Sequence, residues 1–218
     1  MASWMIHLRV ADRLLDLIPD LSPIEFIMGN LAPDSGAVCA DGTFCPDATI
    51  THFLRQGTVD KKDIDSEAFR NRWLSPDCCA AYTPAQYGFY LGYYIHLLTD
   101  HCWSNQIAWP TRLQFPDATW AEIKKDWTDL DRLYLKNRPG FRAFRAYLGS
   151  VGFVNTYLDF FPADAFEERR QAVTDFYLQD TGSLDRAYPY LTAKQADRFV
   201  EDCVTYIQTV IHQKNIHN

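Results

Sequence analysis

Four segments of the amino-acid sequence open with a serine or threonine followed three residues later by glutamate or glutamine, which is the pattern of a helix-capping box. They begin at Ser22, Thr83, Thr119 and Thr192. In a capping box the hydroxyl accepts a backbone N–H of the first helical turn, and the Glu or Gln side chain reaches back to the cap residue. Proline follows Ser22 and Thr83, and its missing N–H costs nothing at the first helical position. The chain is therefore expected to fold mainly into helices.

The spacing of the apolar residues agrees with this expectation. It predicts helices at residues 4–18, 22–29, 64–74, 84–105, 119–137, 139–149, 150–160, 162–179 and 192–213. No convincing set of alternating strands is present, and residues 48–54 are the one segment for which an extended conformation is considered. Loop-forming residues concentrate in the stretch 30–63, and long loops inside compact domains tend to carry function. The sequence predicts an all-α, single-domain multi-helix bundle over residues 1–218.

Composition and charge restrict the classes of function. The chain has 218 residues, of which 47% are hydrophobic, enough for one well-packed core. Its net charge is −7, and no block of lysine and arginine is present, so no nucleic-acid-binding patch is evident. A small phosphorylated substrate remains compatible with this acidic balance, because a metal ion can supply positive charge locally.

The sequence also carries a prediction about location. No apolar run approaches the roughly 20 residues of a membrane span. The first twenty residues lack a basic region followed by a continuous apolar core, since Arg9, Asp12, Arg13 and Asp16 interrupt them. They are interpreted as mature sequence. A cytoplasmic protein with all six cysteines as reduced thiols is expected.

Polar residues interrupt the most apolar helix predicted. Residues 90–103 read YLGYYIHLLTDHCW, and burying the polar groups of His96 and Asp100 is costly unless each has a partner. The two residues are four apart, so they share one helix face. A hydrogen bond between them and a shared metal ion both remain open. Gly92 lies one turn earlier on that face, where another segment can approach closely.

Three more residues in the first half of the chain are candidate metal ligands. His7 lies on the apolar face of the first helix, Asp34 follows a proline in a turn, and His52 has apolar neighbours. Each is individually more typical of a structural residue. Together with His96 and Asp100 they offer enough nitrogen and carboxylate oxygen for a two-metal site with one shared carboxylate. Imidazole and carboxylate ligands favour zinc, with manganese, iron or nickel as alternatives.

The order of these residues resembles the zinc-dependent phospholipase C family, an all-α family related to single-strand-specific zinc nucleases. The resemblance covers residues 4–103, and its elements are Trp4-x-x-His7, Pro33-Asp34, Thr51-His52-Phe53 and His96-x-x-x-Asp100. It implies that Asp34, His52, His96 and Asp100 hold one zinc ion. It further implies that Asp100 bridges to a second zinc ion held by His7 and by the amino and carbonyl groups of an N-terminal tryptophan.

The chain departs from the family pattern in two places. Three residues precede Trp4, so the tryptophan has no free amino group unless the chain is trimmed to it. The first ligand of the family's third zinc ion corresponds to Gln106, and no matching His-x-x-x-Glu or His-x-x-x-Asp follows, so a third ion is not expected. His101 points about 100° away from Asp100 around the helix and is interpreted as a neighbour of the site.

These residues predict a metal-dependent hydrolase that acts on a phosphate ester, with a phosphodiester as the favoured substrate. Asp34 is the candidate general base that orients or deprotonates the attacking water. Candidate phosphate contacts are Asn30, Ser35, Thr51 and Arg55. A hydrolase of the HD type is disfavoured, because its adjacent His-Asp pair is replaced by Asp100-His101. A non-catalytic helical module that retains a structural metal site is the alternative in another class.

Overall fold

The structure is a computed structural model that describes residues 1–38, 44–58, 60–180, 182–214 and 216. Helices dominate the described residues, which confirms the all-α prediction. The α-helices are α1 Trp4–Leu15, α2 Pro23–Leu31, α3 Ala48–Thr51, α4 Ser66–Trp73, α5 Pro76–Ala81, α6 Pro84–Trp103, α7 Trp109–Gln114, α8 Trp120–Asn137, α9 Arg142–Gly149, α10 Ala165–Leu178 and α11 Ala193–Gln213.

Shorter elements connect some of these helices. Two 3-10 turns span Ala32–Asp34 and Lys61–Asp63, and a π-helical segment, Ser104–Ala108, joins α6 to α7. The strands β1 Ala37–Val38 and β2 Phe44–Cys45 form a two-stranded antiparallel ladder. Among the described helices, none combines the length and the apolar character needed to cross a bilayer.

Capping explains where the long helices begin. Thr83, Thr119 and Thr192 each form the complete capping box, with both reciprocal hydrogen bonds present. Ser22 is different, because its hydroxyl bonds the side chain of Glu25 and caps no backbone N–H. Proline at the first helical position does not account for this difference, because Pro84 follows Thr83, whose capping box is complete.

Two local predictions are wrong. Residues 150–160 form a loop, in which the Asn155 amide donates to the carbonyls of Leu158 and Phe161 and its oxygen accepts the N–H of Leu158. These bonds satisfy the backbone without a helix. Residues 48–51, for which an extended conformation was considered, form α3, because Asp47 caps this turn by accepting the N–H of Thr49 at 2.7 Å.

The cysteine prediction is wrong at one position. Cys45 is disulfide-bonded, whereas Cys78, Cys79, Cys102 and Cys203 are free thiols. Cys39 lies outside the described residues. Reduced thiols are therefore confirmed for the four described free cysteines alone.

The centre of the fold is the crossing of α2 and α6. Helix α6 is buried along nearly its whole length. A β-carbon at Gly29 would lie 2.1 Å from the Phe89 carbonyl oxygen, and one at Gly92 would lie 2.2 Å from that of Phe26. Since real β-carbons do not approach backbone atoms this closely, both positions require glycine. The sequence-based expectation of a close approach at Gly92 is confirmed.

We expect Gly92→Ala to lower the free energy of unfolding by about 3 kcal/mol, because the two helix backbones have to separate to admit the methyl group. Urea unfolding monitored by circular dichroism measures this loss. Gly149→Ala is the matched control, since no atom outside its neighbours lies within 4 Å of the added methyl. A Gly92→Ala protein as stable as the control variant would contradict this account of the helix crossing.

Candidate metal centre

The five ligands predicted from the sequence converge in the structure. Helix α1 carries His7, the 3-10 turn after α2 ends at Asp34, His52 follows α3, and α6 carries both His96 and Asp100. None of them is more than 7% exposed. The cluster is thus built from four separate segments and is closed to bulk solvent.

Four candidate ligand atoms, called the first set below, lie around His52 and His96. His52 Nε2 lies 3.2 Å from Asp34 Oδ1, 3.2 Å from His96 Nε2 and 3.6 Å from Asp100 Oδ2. His96 Nε2 lies 4.0 Å from Asp34 Oδ1 and 3.7 Å from Asp100 Oδ2. Zinc–ligand bonds of about 2.0–2.1 Å place tetrahedral ligand atoms about 3.4 Å apart. The observed separations are scattered around that value. Asp34, His52 and His96 each bring a ligand atom within 4.8 Å of the other two, so these three could hold one ion, with Asp100 Oδ2 beside them.

Hydrogen bonds fix the orientation of both histidines. His96 Nδ1 donates to the Asn30 carbonyl oxygen at 2.8 Å. A carbonyl oxygen only accepts, so in the neutral ring the lone pair lies on Nε2. His52 Nδ1 lies 2.9 Å from the Thr51 hydroxyl, which can donate or accept. His52 can therefore keep its proton on Nε2 towards Asp34, or hold it on Nδ1 and present the Nε2 lone pair to a metal.

A second ligand set shares Asp100 with the first. His7 Nε2 lies 3.4 Å from Asp100 Oδ1, whereas the first set uses Oδ2. The His7 ring stacks on that of His96 with centroids 3.8 Å apart. Within the described part of the chain, His7 Nε2 and Asp100 Oδ2 have no hydrogen-bond partner. Buried polar atoms without partners are rare in proteins, and metal ligation would satisfy both.

The N-terminal segment contacts Asp100 of this second set, a contact that the sequence did not indicate. The backbone N–H of Ala2 donates to Asp100 Oδ1 at 2.6 Å, and Ala2 itself is buried. Trp4, to which the sequence resemblance assigned backbone ligand groups, begins α1 and packs against Phe176 and Tyr177. The backbone group beside Asp100 is therefore that of Ala2, two residues before Trp4.

Burial determines the protonation of two of the histidines. Desolvation lowers the pKa of His7 and the pKa of His52 to about 4. At His7, the nearby His96 lowers the pKa further. Both rings are thus neutral near pH 7, the form in which imidazole binds a metal. Burial alone would raise the pKa of Asp34, but the hydrogen bond from His52 and the charge of His96 hold it below the usual range. An ionised carboxylate is the other requirement of a metal ligand.

The residues that the sequence suggested as phosphate contacts, and His101, do not share one position relative to the five candidate ligands. The Asn30 carbonyl orients His96, its side chain donates to the Gly92 carbonyl, and Thr51 bonds His52. These contacts support the ligands. Arg55 is exposed in a separate depression beside Phe160. The polar partner of His101 is the exposed Asn105.

Sequence reasoning missed Lys61. Its ammonium lies 3.7 Å from Asp100 Oδ2, and its side chain is 13% exposed. In the sequence it belongs to the polar stretch Asp60–Asp63, which is typical of a solvated loop. No pattern in the sequence distinguishes Lys61 from its neighbour Lys62.

No protein-family model, no curated protein and no solved structure matches this chain. The resemblance to the phospholipase C family therefore rests on the order of residues in the sequence alone.

We expect the metal-free protein to lose stability as pH falls from 7 to 5. Because the pKa of His7 and of His52 is about 4 in the folded state and 6.5 in the unfolded chain, the unfolded chain binds more protons in this range. The loss is about 2 kcal/mol for each histidine. Urea unfolding after chelator treatment measures it, and a His7→Gln/His52→Gln protein should show a shallower pH dependence. A pH-independent stability would contradict the assigned neutral state.

We expect Thr51→Val to weaken metal affinity by roughly 10- to 100-fold, because it removes the partner that orients His52 while keeping the side-chain volume. Competition with a chromogenic chelator measures the affinity. Thr51→Ser keeps the hydroxyl and is the control, with an expected affinity within a few fold of wild type. Equal affinities of the valine and serine variants would show that the hydroxyl does not support the ligand.

Proposed function

We propose that the protein is a metal-dependent hydrolase of a phosphate ester, similar to the zinc-dependent phospholipases C, with a phosphodiester as its substrate. One observation carries the proposal. The two oxygens of Asp100 face two different ligand sets, Oδ2 towards His52 and His96, and Oδ1 towards His7. A carboxylate shared in this way is the arrangement that bridges paired ions in phosphate-ester hydrolases.

Zinc is the proposed cofactor, with one or two ions. Three imidazoles and two carboxylates form a donor set of intermediate softness, which suits zinc, while manganese, iron and nickel accept the same ligands. His52, His96, Asp34 and Asp100 would hold the first ion. His7 and the other oxygen of Asp100 would contribute to a second, for which the described residues offer fewer ligands.

The residues of the site have separate parts in the proposed reaction. A bound divalent ion would supply positive charge to the phosphate oxygens and lower the pKa of a coordinated water. Asp34 Oδ1 faces His52, while Asp34 Oδ2 has no hydrogen-bond partner in the described part of the chain. Oδ2 is therefore the proposed acceptor of the proton of the attacking water. The water oxygen then bonds to phosphorus as the ester bond from phosphorus to oxygen breaks, and the departing alkoxide takes up a proton, which balances the one that Asp34 accepted.

A small phosphate ester is the proposed substrate class, because the net charge of −7 provides no general attraction for a polyanion. The cytoplasmic location stays a prediction from the N-terminal sequence. The disulfide at Cys45 is of a kind more common in oxidising compartments, and it argues against that prediction.

The alternative function is a non-catalytic helical module that keeps a structural metal site. The burial of all five ligands favours it, since structural sites are closed and catalytic sites keep an open position. The two proposals differ in one measurable property. A structural site binds metal without hydrolysing any phosphate ester, whereas a catalytic site does both.

We expect purified protein loaded with zinc to hold one to two ions by elemental analysis and to hydrolyse bis(p-nitrophenyl) phosphate, with activity lost on chelation and restored by zinc. His96→Ala and Asp100→Ala should each lose bound zinc, because each removes a ligand atom of the first set. His101→Gln is the control on the same helix and should retain the wild-type zinc content.

Two results would contradict the hydrolase. Stoichiometric zinc without hydrolysis under any metal would favour the structural module. Wild-type protein that holds no transition metal, while keeping its full thermal stability, would exclude both proposals.

A further inference from the structure

Lys61 is held in place by a short structured segment. The 3-10 turn Lys61–Asp63 is capped by Asp60, whose carboxylate accepts the N–H of Lys62 at 3.0 Å. Asp60 also accepts the indole N–H of Trp109 at 3.1 Å, at the first residue of α7. This second bond ties the turn to the π-helical segment and α7. The two hydrogen bonds of Asp60 thus hold in place the turn that carries Lys61.

The ammonium of Lys61 has an unusual environment. It lies 3.7 Å from Asp100 Oδ2, and within the described residues it has no hydrogen-bond partner. An ammonium carries three donors, and leaving them unused in a buried place is costly. Asp100 Oδ2 cannot fully satisfy this group, because the same atom faces His52 and His96 in the first ligand set.

Charge indicates what would satisfy the ammonium. Asp34 and Asp100 contribute two negative charges, which one divalent ion would neutralise, since imidazole binds a metal in its neutral form. Lys61 then leaves the centre with one positive charge. A phosphodiester carries one negative charge, and its non-bridging oxygens are strong acceptors for an ammonium.

Lys61 lies at the wall of a cavity. It lines a cavity of about 340 Å³ together with Ser104, Trp109, Trp120, Lys124 and Trp127. The ligands of the first set are not part of this lining, so Lys61 stands between the cavity and Asp100. A substrate that enters from the cavity would meet the ammonium before it reaches the ligand set.

We propose that Lys61 is a substrate-binding residue whose ammonium contacts a non-bridging oxygen of the phosphate ester held at the His–Asp centre. The inference rests on the proposed function, and it assigns to a side chain of this protein a positive charge that metal-rich phosphoesterases take from an additional ion. It accounts for the buried ammonium, which pairs with Asp100 but has no hydrogen-bond partner among the described residues.

The test compares Lys61→Gln, Lys61→Arg and Lys62→Gln. Lys62 is the neighbouring lysine, its side chain is 47% exposed, and it stacks over Trp109, so its substitution controls for charge loss in the same turn. Zinc content is measured by elemental analysis. The affinity of the zinc-loaded proteins for inorganic phosphate is measured by calorimetry. Their kcat and KM are measured with bis(p-nitrophenyl) phosphate as the substrate.

Lys61→Gln is expected to keep its zinc and to bind phosphate roughly 10- to 100-fold more weakly, the range for loss of a hydrogen bond to a charged group. Its KM should rise in parallel. Lys61→Arg, which keeps the charge, should recover most of the affinity, and Lys62→Gln should match wild type.

Three results would overturn the assignment. Lys61→Gln could bind phosphate as tightly as wild type, or it could lose zinc and phosphate together, which would make Lys61 a support of the metal ligands. If Lys61→Gln does not fold, Lys61→Arg provides the test. A folded Lys61→Arg protein that binds phosphate no better than a metal-free control would overturn the assignment. Failure of the proposed function is distinguishable, because wild-type protein itself would then lack zinc or hydrolysis.

Discussion

The close crossing of α2 and α6 is the contact on which the metal centre depends. Gly29 and Gly92 let the two backbones meet without intervening side chains. This approach brings the Asn30 carbonyl within 2.8 Å of His96 Nδ1. The chain then leaves α2 through the 3-10 turn that ends at Asp34, opposite His52. Wider helix spacing would displace the group that orients His96 and the carboxylate that faces His52 together.

The site collects groups that a protein core normally excludes. Two carboxylates and three imidazoles converge with almost no exposure, and desolvation of such groups costs several kcal/mol unless charge or hydrogen bonds offset it. The Ala2 N–H and the Lys61 ammonium each approach one oxygen of Asp100 and offset part of this cost. A divalent ion would offset far more, because it satisfies the facing lone pairs of His52, His96 and Asp34 at once.

The second half of the chain, in which no family resemblance is detectable, positions the first helix. The Met5 N–H donates to the Tyr177 hydroxyl, which donates to Asp131, and Arg9 pairs with Asp197 at 2.5 Å. These contacts join α1 to α8, α10 and α11 across more than a hundred residues of sequence. They fix His7 over His96, so the C-terminal half acts on the site through the placement of α1.

The sequence by itself determined the helical class and the relative position of two candidate ligands, His96 and Asp100. Capping residues and apolar spacing are local, and a separation of four residues places His96 and Asp100 on one helix face wherever that helix packs. Local patterns failed where a side chain bonds the nearby backbone, as Asn155 does in the loop 150–164 and Asp47 does before α3.

Only the tertiary structure decided how the other groups meet. Asp34, His52 and His7 come from three segments whose approach depends on the α2–α6 crossing and on the packing of α1 against the C-terminal helices. Lys61 and Ala2 carry no local signal at all, since a lysine in a polar stretch and an alanine near the N-terminus are ordinary. Their proximity to Asp100 is a property of packing between distant segments, and it sets the charge and hydrogen bonding of the site.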